Sequence, residues 1–301
     1  MSKTVLITGA RGFVGHAIVR ELLENTDWGL VCPVRSCKNP DRIEQIDTHG
    51  RITKEIPDKI DIIIHAAGNP SAIDCINDPL SAVQDNVIET TKMLELARKH
   101  NVEHFIYVSS VEVYGGDLST SSEDSRCVAK NPYAATKLAG EHMCSAYQET
   151  YGIRCSIVRV NNTFGTRVQP ERFPVVAIRK LMYDEPFVMH CDEKGEVGKR
   201  RWTPIEDVAD MILFILKLDE PGRTYNVTGD LISNLEFIEH IAKCVNVKVN
   251  YTLQQENIQG RVLFQNAPPD LIYSLGWKPK KTFQERLSEF VAWTLDHPEW
   301  M

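Results

Sequence analysis

The stretch TVLITGARGFVG, residues 4–15, decides the fold class. Its apolar run at 5–7 predicts a buried strand, and a helix-length amphipathic segment begins at Phe13. Between them the spacing GxxGxxG places Gly9, Gly12 and Gly15. Glycine permits a tight turn, close approach of backbone N–H groups to a pyrophosphate, and close packing of helix on strand.

This glycine loop also opens a helix, whose N-terminus carries a partial positive charge. Between the first strand and the first helix of a βαβ unit, the pattern predicts a dinucleotide site, with a plain structural turn as the alternative. The loop residues that we expect to contact the cofactor are Gly9, Arg11, Gly12, Phe13, Val14 and Gly15.

Strand-like and helix-like segments alternate over the first half of the chain. Apolar runs at 5–7, 30–34, 60–64, 105–108 and 153–160 are interleaved with amphipathic segments at 13–23, 79–99 and 132–151. This predicts an α/β fold with a doubly wound parallel sheet, covered on both faces because its strands are almost wholly apolar.

The composition shifts near Gly165, where the pattern becomes less regular. We therefore expect a dinucleotide-binding Rossmann domain over 1–165 and a smaller C-terminal substrate-binding lobe over most of 166–301. The segment 205–228 is expected to pack back on the first domain.

Composition excludes several classes of function. The net charge of −7 over 301 residues disfavours nucleic acid and membrane surfaces as partners. The eight cysteines form no CxxC pair and have no histidine cluster beside them, so we expect no metal site and no disulfide framework. The apolar run 211–216 is too short to cross a bilayer, and the chain is expected to be cytoplasmic.

The residues after the second strand bear on the choice of nicotinamide cofactor. NAD-binding proteins usually carry an acid there, but here Arg35 and Lys38 come before the first acid, Asp41. Cations can pair with a 2′-phosphate, so we expect a preference for NADP(H), with NAD(H) possible. The alternative is that Arg35 is a solvated loop charge.

Among nine tyrosines, only Tyr133 has a lysine four residues on, Lys137. In a helix that follows Asn131-Pro132 the two side chains share one face. An ammonium nearby favours phenolate and lowers the pKa of a tyrosine, which predicts an acid/base for alcohol–ketone interconversion. The structural alternative is a core aromatic beside a surface charge.

The strand 105–110 ends in hydroxyl side chains. Ligands of open α/β sheets bind at the carboxyl ends of the strands, so Ser110 is expected to hydrogen-bond the reacting oxygen. We expect Ser110, Tyr133 and Lys137 to act together in catalysis.

With these motifs the chain resembles the extended short-chain dehydrogenase/reductase family, the NAD(P)-dependent nucleotide-sugar epimerases and dehydratases. The resemblance covers nearly the whole chain. Further matching segments are His65-Ala66-Ala67-Gly68, Asn86-Val87, Asn161 to Gly165, Gln169-Pro170-Glu171, Arg200 to Asp207 and Leu275 to Pro279.

The resemblance implies further site residues and a partner. At the cofactor it implies Asp47 near the adenine, Ala66, Ala67, Gly68, Asn86 as a brace for the lysine, and Tyr133 with Lys137. At the diphosphate of a nucleotide-diphosphate sugar it implies Asn162, Arg200 and Arg261, with Arg201 as an alternative to Arg200. It also implies a homodimer formed through the helices at 79–99 and 132–151.

Glu112 bears on the reaction, because family dehydratases and decarboxylases place a glutamate two residues after the serine. Such a base could remove the C5 proton once C4 is a ketone, although Glu112 could instead only hydrogen-bond nearby backbone. The hexose 4,6-dehydratases precede this glutamate by an aspartate that protonates the leaving hydroxyl, where this chain has Val111.

Three functions remain open at this point. The first is epimerase/dehydratase-type hydride transfer at a sugar carbon, C4, with Tyr133 as acid/base. The second is an NADPH-dependent reductase of nucleotide-linked 4-keto sugars. The third is a non-catalytic NADP-binding regulatory protein.

Overall fold

The apolar run at 5–7 becomes an inner strand of a parallel sheet. In the computed structural model, which describes residues 2–33, 50–116, 120–218, 220, 222–255 and 262–301, this sheet has seven strands. The strands of this sheet and of two smaller sheets are, in chain order, β1 (Thr4–Thr8), β2 (Gly29–Val31), β3 (Ile52–Thr53), β4 (Ile62–His65), β5 (His104–Ser110), β6 (Cys155–Val160), β7 (Asn162–Phe164), β8 (Phe187–Cys191), β9 (Lys199–Pro204), β10 (Thr224–Val227), β11 (Asp230–Ser233) and β12 (Tyr251–Gln255).

The helices alternate with the strands of this sheet and then build most of the second lobe. They are α1 (Phe13–Asn25), α2 (Ala72–Asn77), α3 (Pro79–Val83), α4 (Glu89–His100), α5 (Pro132–Tyr151), α6 (Phe173–Met182), α7 (Ile205–Lys217), α8 (Asn234–Val245), α9 (Asp270–Ser274) and α10 (Phe283–Asp296). A 3-10 turn follows β5 at Val111–Tyr114, and another ends the chain at Pro298–Trp300.

The strand order of the central sheet is β10-β6-β5-β4-β1-β2-β3, and the strands pair in parallel. The chain runs outward from β1 to β3 and then returns to the other side of β1 as β4. The reversal leaves a crevice between the carboxyl ends of β1 and β4, where ligands of such sheets bind.

Helices cover both faces of this sheet, which confirms the predicted doubly wound α/β fold. One apolar cluster joins α1 and α7 to the sheet, with Ile18, Val208 and Ile212 at most 1% exposed. A second joins α4 and α5 to the opposite face through Leu94 and Cys144. Burial on both sides explains why all seven residues of β5 are buried and why the strands are nearly continuous in apolar character.

The smaller lobe is built around a three-stranded sheet, β11-β9-β7. Phe164, Trp202 and Phe237 pack there with α6, α8 and α10, and the rings of Trp202 and Phe237 stack with centroids 4.2 Å apart. The segment after β9 returns to the central sheet: α7 packs on α1, and β10 pairs with β6.

The helical spacing of apolar residues predicts the bounds of a regular long helix, but it does not predict an interruption within a helix. The helix expected at 132–151 is α5, with the same bounds. The helix expected at 79–99 runs from α3 into α4, but a π-helical turn at Gln84–Ile88 interrupts it. Within the described ranges, no helix combines the length and the apolar character needed to cross a membrane.

Gly15 tests the packing of α1 on β1. A Cβ at this position would lie 2.1 Å from the carbonyl oxygen of Gly9, too close for any real side chain. We expect Gly15→Ala to lower the free energy of unfolding by about 1–3 kcal/mol or more, because overpacking forces the backbone to shift.

Chemical denaturation measures this change, and Gly29→Ala in β2 is the matched control. A Cβ at Gly29 meets nothing within 4 Å, so this variant should match the wild type. Equal stability of both variants would contradict the close approach of helix and strand.

Candidate active site

At the crevice between β1 and β4, the loops that follow the two strands approach each other so closely that one position must be glycine. Gly9 adopts a φ of +69°, and a Cβ there would lie 2.8 Å from the carbonyl carbon of Ala66 and from the nitrogen of Ala67. The loops after the two strands are therefore in direct contact. Any side chain at Gly9 would push them apart.

The N-terminus of α1 fits the pyrophosphate of a nicotinamide dinucleotide. Gly12 is the N-cap residue, no side chain of the described residues caps the helix, and its first turn has no acidic residue. Its first N–H groups can therefore bind an anion, aided by the helix dipole. Arg11, Phe13 and Val14 lie in this loop and are partly exposed, as a contact with a cofactor requires.

A chain of hydrogen bonds connects β1, β4 and the π-helical turn. The Thr8 hydroxyl contacts His65 Nδ1 at 2.7 Å and accepts a bond from the nitrogen of Ala67 at 3.2 Å. Thr90 donates to the carbonyl oxygen of Asn86 at 2.7 Å and contacts His65 Nε2 at 3.0 Å. Since the Thr90 proton is used, His65 donates from Nε2 and accepts from Thr8 at Nδ1.

Asn86 is buried and holds the loop after β4 against α5. Its Oδ1 accepts from the nitrogen of Asn69 at 2.8 Å, and its Nδ2 donates to Thr136 Oγ1 at 3.0 Å. A Cβ on Gly68 would lie 2.6 Å from Asn86 Oδ1 and 3.5 Å from Lys137 Nζ. Asn86 thus ties the loop after β4 to α5 beside Lys137, and its role as a brace for the lysine stays a prediction.

Lys137 is 6% exposed at the carboxyl end of β5. Its ammonium donates to the carbonyl oxygen of Val108 at 3.0 Å and lies 5.3 Å from the ring centroid of Tyr107. Burial lowers the pKa of Lys137 to about 8, because removal from water disfavours the charged form.

Tyr133 is 9% exposed and has the Ser110 hydroxyl as a neighbour at the end of β5. Burial, followed by the nearby charge of Glu112, raises the pKa of Tyr133 above its usual value, and the Ser110 hydrogen bond opposes this rise. The predicted net lowering of the pKa of this phenol is therefore wrong for the structure. Desolvation is the larger effect.

Glu112 is positioned by a residue whose role the sequence did not indicate. Asn131 donates from Nδ2 to Glu112 Oε2 at 3.1 Å, while its Oδ1 caps α5 by accepting from the nitrogen of Ala134 at 2.8 Å. The Asn131-Pro132 pair signalled a helix start but not this second contact. Glu112 lies close enough to Tyr133 to affect its pKa.

Two further neighbours of Tyr133 were also missed. Cys75 packs against Tyr133 in one apolar cluster, and the charge of Arg172 lowers the pKa of the phenol. Both belong to segments, α2 and the N-terminus of α6, that carry no motif near the tyrosine in sequence. Only the fold brings them together.

The residues implied for the diphosphate lie on the sheet of the smaller lobe. Asn162 is the first residue of β7, and Arg200 lies on the neighbouring strand β9, where it donates to the carbonyl oxygen of Val262. Arg201 donates to Asn266 Oδ1 at 2.9 Å and to the carbonyl oxygen of Gly229 at 2.7 Å. Arg35, Asp47 and Arg261, predicted from sequence, lie outside the described residues.

Lys137 provides a test of the desolvation that shapes this site. Its pKa is lowered from 10.5 to about 8. Burial of the ammonium therefore lowers the free energy of unfolding below pH 8, and this loss of stability disappears above pH 10.5, where the lysine is neutral in both the folded and the unfolded chain. We expect Lys137→Met to raise the free energy of unfolding at neutral pH by about 2 kcal/mol, after allowing for the lost bond to Val108.

Urea denaturation of the cofactor-free protein at neutral and at alkaline pH measures this effect. The gain should shrink as the pH rises from 8 to 10.5, because the wild-type lysine is then neutral when folded. Lys99→Met, at an exposed position of α4, should change little. A less stable Lys137→Met variant at neutral pH would contradict the account.

Comparison with known proteins places this geometry in a family. The profile of the NAD dependent epimerase/dehydratase family matches residues 5–228. The dTDP-D-glucose 4,6-dehydratase of Mus musculus is 28% identical over 323 residues, covering 97% of this chain and 88% of that protein. The dTDP-glucose 4,6-dehydratase of Salmonella typhimurium is 24% identical over 342 residues, covering 99% and 94%.

Solved structures show the same fold. UDP-glucuronic acid 4-epimerase from Bacillus cereus, in complex with UDP-glucuronic acid and NAD, superimposes with a TM-score of 0.87 at 22% identity, covering 97% of this chain and 99% of that one. The family match spans most of the chain and agrees with the motifs in and around the crevice. This protein therefore belongs to the NAD dependent epimerase/dehydratase family.

Proposed function

We propose that this protein is an NAD(P)-dependent enzyme that transfers a hydride at C4 of a nucleoside-diphosphate sugar, with Tyr133 as acid/base. The observation that carries the proposal is that Lys137 donates to the carbonyl oxygen of Val108 while Tyr133 has Ser110 as a neighbour, so that both side chains reach the carboxyl end of β5. The names of the relatives, dTDP-glucose 4,6-dehydratase and UDP-glucuronic acid 4-epimerase, support the substrate class.

The cofactor would be held by the glycine loop, by Ala66 to Gly68 and by Lys137. When bound, an oxidised nicotinamide supplies the hydride acceptor and a positive charge, which favours the phenolate of Tyr133. In the free protein the raised pKa keeps Tyr133 as a phenol. The residue is thus ready to donate a proton to a ketone, and it requires the loaded site to act as a base.

The protein's own groups handle the proton at C4. Ser110 and Tyr133 would hydrogen-bond the C4 hydroxyl, and the Tyr133 oxygen would take its proton as the carbon becomes a ketone. In the opposite direction, Tyr133 would return this proton to the C4 oxygen as the ketone becomes an alcohol. Lys137 would stabilise the phenolate, since its ammonium lies on the same face of α5.

The diphosphate would bind beside the smaller lobe, which is our proposed substrate-binding part of the chain. Asn162 and Arg200 lie on adjacent strands, and Arg201 is the second cation there. A guanidinium group suits a phosphate because it offers paired N–H donors. Arg261, from sequence alone, would add a third cation.

The surroundings of Val111 favour epimerisation over 4,6-dehydration. Val111 is 2% exposed and packs in an apolar cluster with Tyr114 and Ala267, so it offers no proton to a leaving hydroxyl. Glu112, held by Asn131, remains available as a base near C5. A second candidate, an NADPH-dependent 4-keto-sugar reductase, is favoured by Arg35, because NADP(H) suits net reduction.

A non-catalytic NADP-binding role is the third candidate, and the buried Ser110, Tyr133 and Lys137 side chains disfavour it.

We further propose a homodimer through α3–α4 and α5, supported by the exposed apolar side chains of Leu80 and Val83. A cytoplasmic location is supported by the described cysteines, all of which are free.

Replacement of Tyr133 tests the proposed chemistry. Tyr133→Phe removes the hydroxyl group that exchanges the proton, so turnover of nucleotide sugars should fall by about 10²–10⁴-fold. Binding of the cofactor, followed by calorimetry, should be nearly unchanged. Tyr151→Phe, at the exposed end of the same helix, is the control. Unchanged turnover in Tyr133→Phe would refute Tyr133 as the acid/base.

The cofactor preference is tested at Arg35. If its guanidinium pairs with the 2′-phosphate, Arg35→Ala should weaken NADP binding by about 10–100-fold and leave NAD binding nearly unchanged. Fluorescence titration with both cofactors measures the ratio, and Lys217→Ala, an exposed cation at the end of α7, serves as the control. Equal losses for both cofactors would contradict the preference.

A further inference from the structure

A buried ion pair joins β6 to α5. Arg159 donates from Nε to Glu141 Oε1 at 3.0 Å and from Nη2 to Glu141 Oε2 at 2.7 Å. The two residues are 6% and 4% exposed. Such a pair is costly to form because both charges must leave water, and apolar side chains of similar volume often stabilise a fold as well or better. Stability alone therefore does not explain charges at these two positions.

Glu141 ties α5 to the end of β5. Its Oε1 also accepts a hydrogen bond from the Ser109 hydroxyl at 2.5 Å, and Ser109 directly precedes Ser110. On α5, Glu141 lies on the buried face that also carries Tyr133 and Lys137, one helical turn beyond the lysine. The charge of Glu141 opposes the lowering of the Lys137 pKa by burial, which agrees with this proximity. The carboxylate therefore fixes the position of α5 along β5.

Arg159 ties the same pair to the 3-10 turn that carries Glu112. Its Nη1 donates to Tyr114 Oη at 2.8 Å and to the carbonyl oxygen of Glu123 at 3.1 Å, and its Cζ lies 4.7 Å from the centroid of the Tyr114 ring. Tyr114 in turn donates to Asn226 Oδ1 at 2.7 Å. Since Tyr114 is the last residue of this 3-10 turn, its contacts restrain Glu112.

Strand pairing explains why one side chain reaches all these elements. Arg159 is the register partner of Ser109 in the parallel pair of β5 and β6, so both side chains point to the same face of the sheet, the one on which Glu141 lies. The Arg159 guanidinium is a planar fork with five N–H donors, and its Nε, Nη1 and Nη2 all donate. A lysine, with a single ammonium, lacks this fork.

We propose that Arg159, together with Glu141, is a positioning residue of the proposed reaction. Through α5 the pair holds Tyr133 in a fixed position relative to Ser110, and through the 3-10 turn it does the same for Glu112. The proposal rests on the proposed function and deepens it, because it names the residues that align the groups which exchange the proton. An error of about 1 Å in such an alignment can slow the chemical step by about 100-fold.

The test replaces the three polar partners together, in the variant Ser109→Ala/Glu141→Leu/Arg159→Met of the full chain. Replacement of Glu141 or Arg159 alone would leave a buried charge unpaired and would destabilise the fold. The triple variant removes both charges, so it should unfold thermally at or near the wild-type midpoint. A second variant, Arg159→Lys, keeps the charges balanced but loses the planar fork.

Rapid mixing of UDP-glucuronic acid or dTDP-glucose with the protein loaded with oxidised cofactor measures hydride transfer, through the absorbance of reduced nicotinamide. In the triple variant the rate constant should fall by about 10–100-fold, because Tyr133 is no longer aligned with Ser110. The dissociation constants of the cofactor and of the sugar should stay within about twofold of the wild type, because only the chemical step is affected. Arg159→Lys should show a smaller loss of rate in the same direction.

Hydrogen exchange of the cofactor-free protein reports the alignment without any substrate. Amides of the 3-10 turn and of the first turns of α5 should exchange faster in the triple variant. His104→Leu/Ser156→Ala is the matched control, because it removes a buried polar pair, 2.7 Å apart, near the amino ends of the same two strands. This control should leave the rate constant and the exchange at α5 as in the wild type.

The outcomes separate this proposal from the proposed function. If no nucleotide sugar reduces the bound cofactor in the wild type, the proposed function is refuted, and the positioning role with it. If the wild type transfers the hydride and the triple variant does so at the same rate, only the positioning role is refuted. Loss of cofactor binding along with the rate, in the triple variant and in Arg159→Lys alike, would show a merely structural role and would also overturn the proposal.

Discussion

Desolvation of two ionisable side chains at one end of a parallel strand is the constraint on which the proposed chemistry of this protein depends. Tyr133 and Lys137 are both more than nine-tenths buried, and burial pushes each towards its neutral form, with the pKa of the lysine lowered and that of the tyrosine raised. Lys137 keeps one hydrogen bond to Val108 of β5, beside the loop that Asn86 holds, whereas Tyr133 packs with Cys75 and Ala82 in an apolar cluster. Such a site favours proton transfer once a bound cofactor changes the local charge.

The fold was predictable because its central features are local in sequence. The glycine loop at Gly9 to Gly15 and the apolar strands predict a βαβ sheet. The start of α5 is predicted by Asn131-Pro132, and its course by the helical spacing of its apolar residues. The strands of the smaller lobe were not predicted. β12 pairs with β8 across some sixty residues of chain, and all five residues of β12 are exposed, so no buried apolar face marks it as a strand.

The candidate site, like the fold, has some features that could be predicted from the sequence and others that depend on tertiary packing. The positions of Ser110, Tyr133 and Lys137 near the end of β5 could be predicted from strand ends and helical spacing, whereas the direction of the tyrosine pKa could not. That direction depends on how much water the folded protein excludes, and on Glu112, which Asn131 holds in place.

The most direct test of this account is a spectroscopic titration of Tyr133. The ultraviolet absorbance of phenolate, taken as the difference between the wild type and Tyr133→Phe, reports the pKa of this one tyrosine. The account predicts that in the cofactor-free protein its pKa lies above the ordinary value of 10, and that saturation with the oxidised cofactor lowers it. A phenolate formed near neutral pH without cofactor, or a titration that the cofactor leaves unchanged, would contradict it.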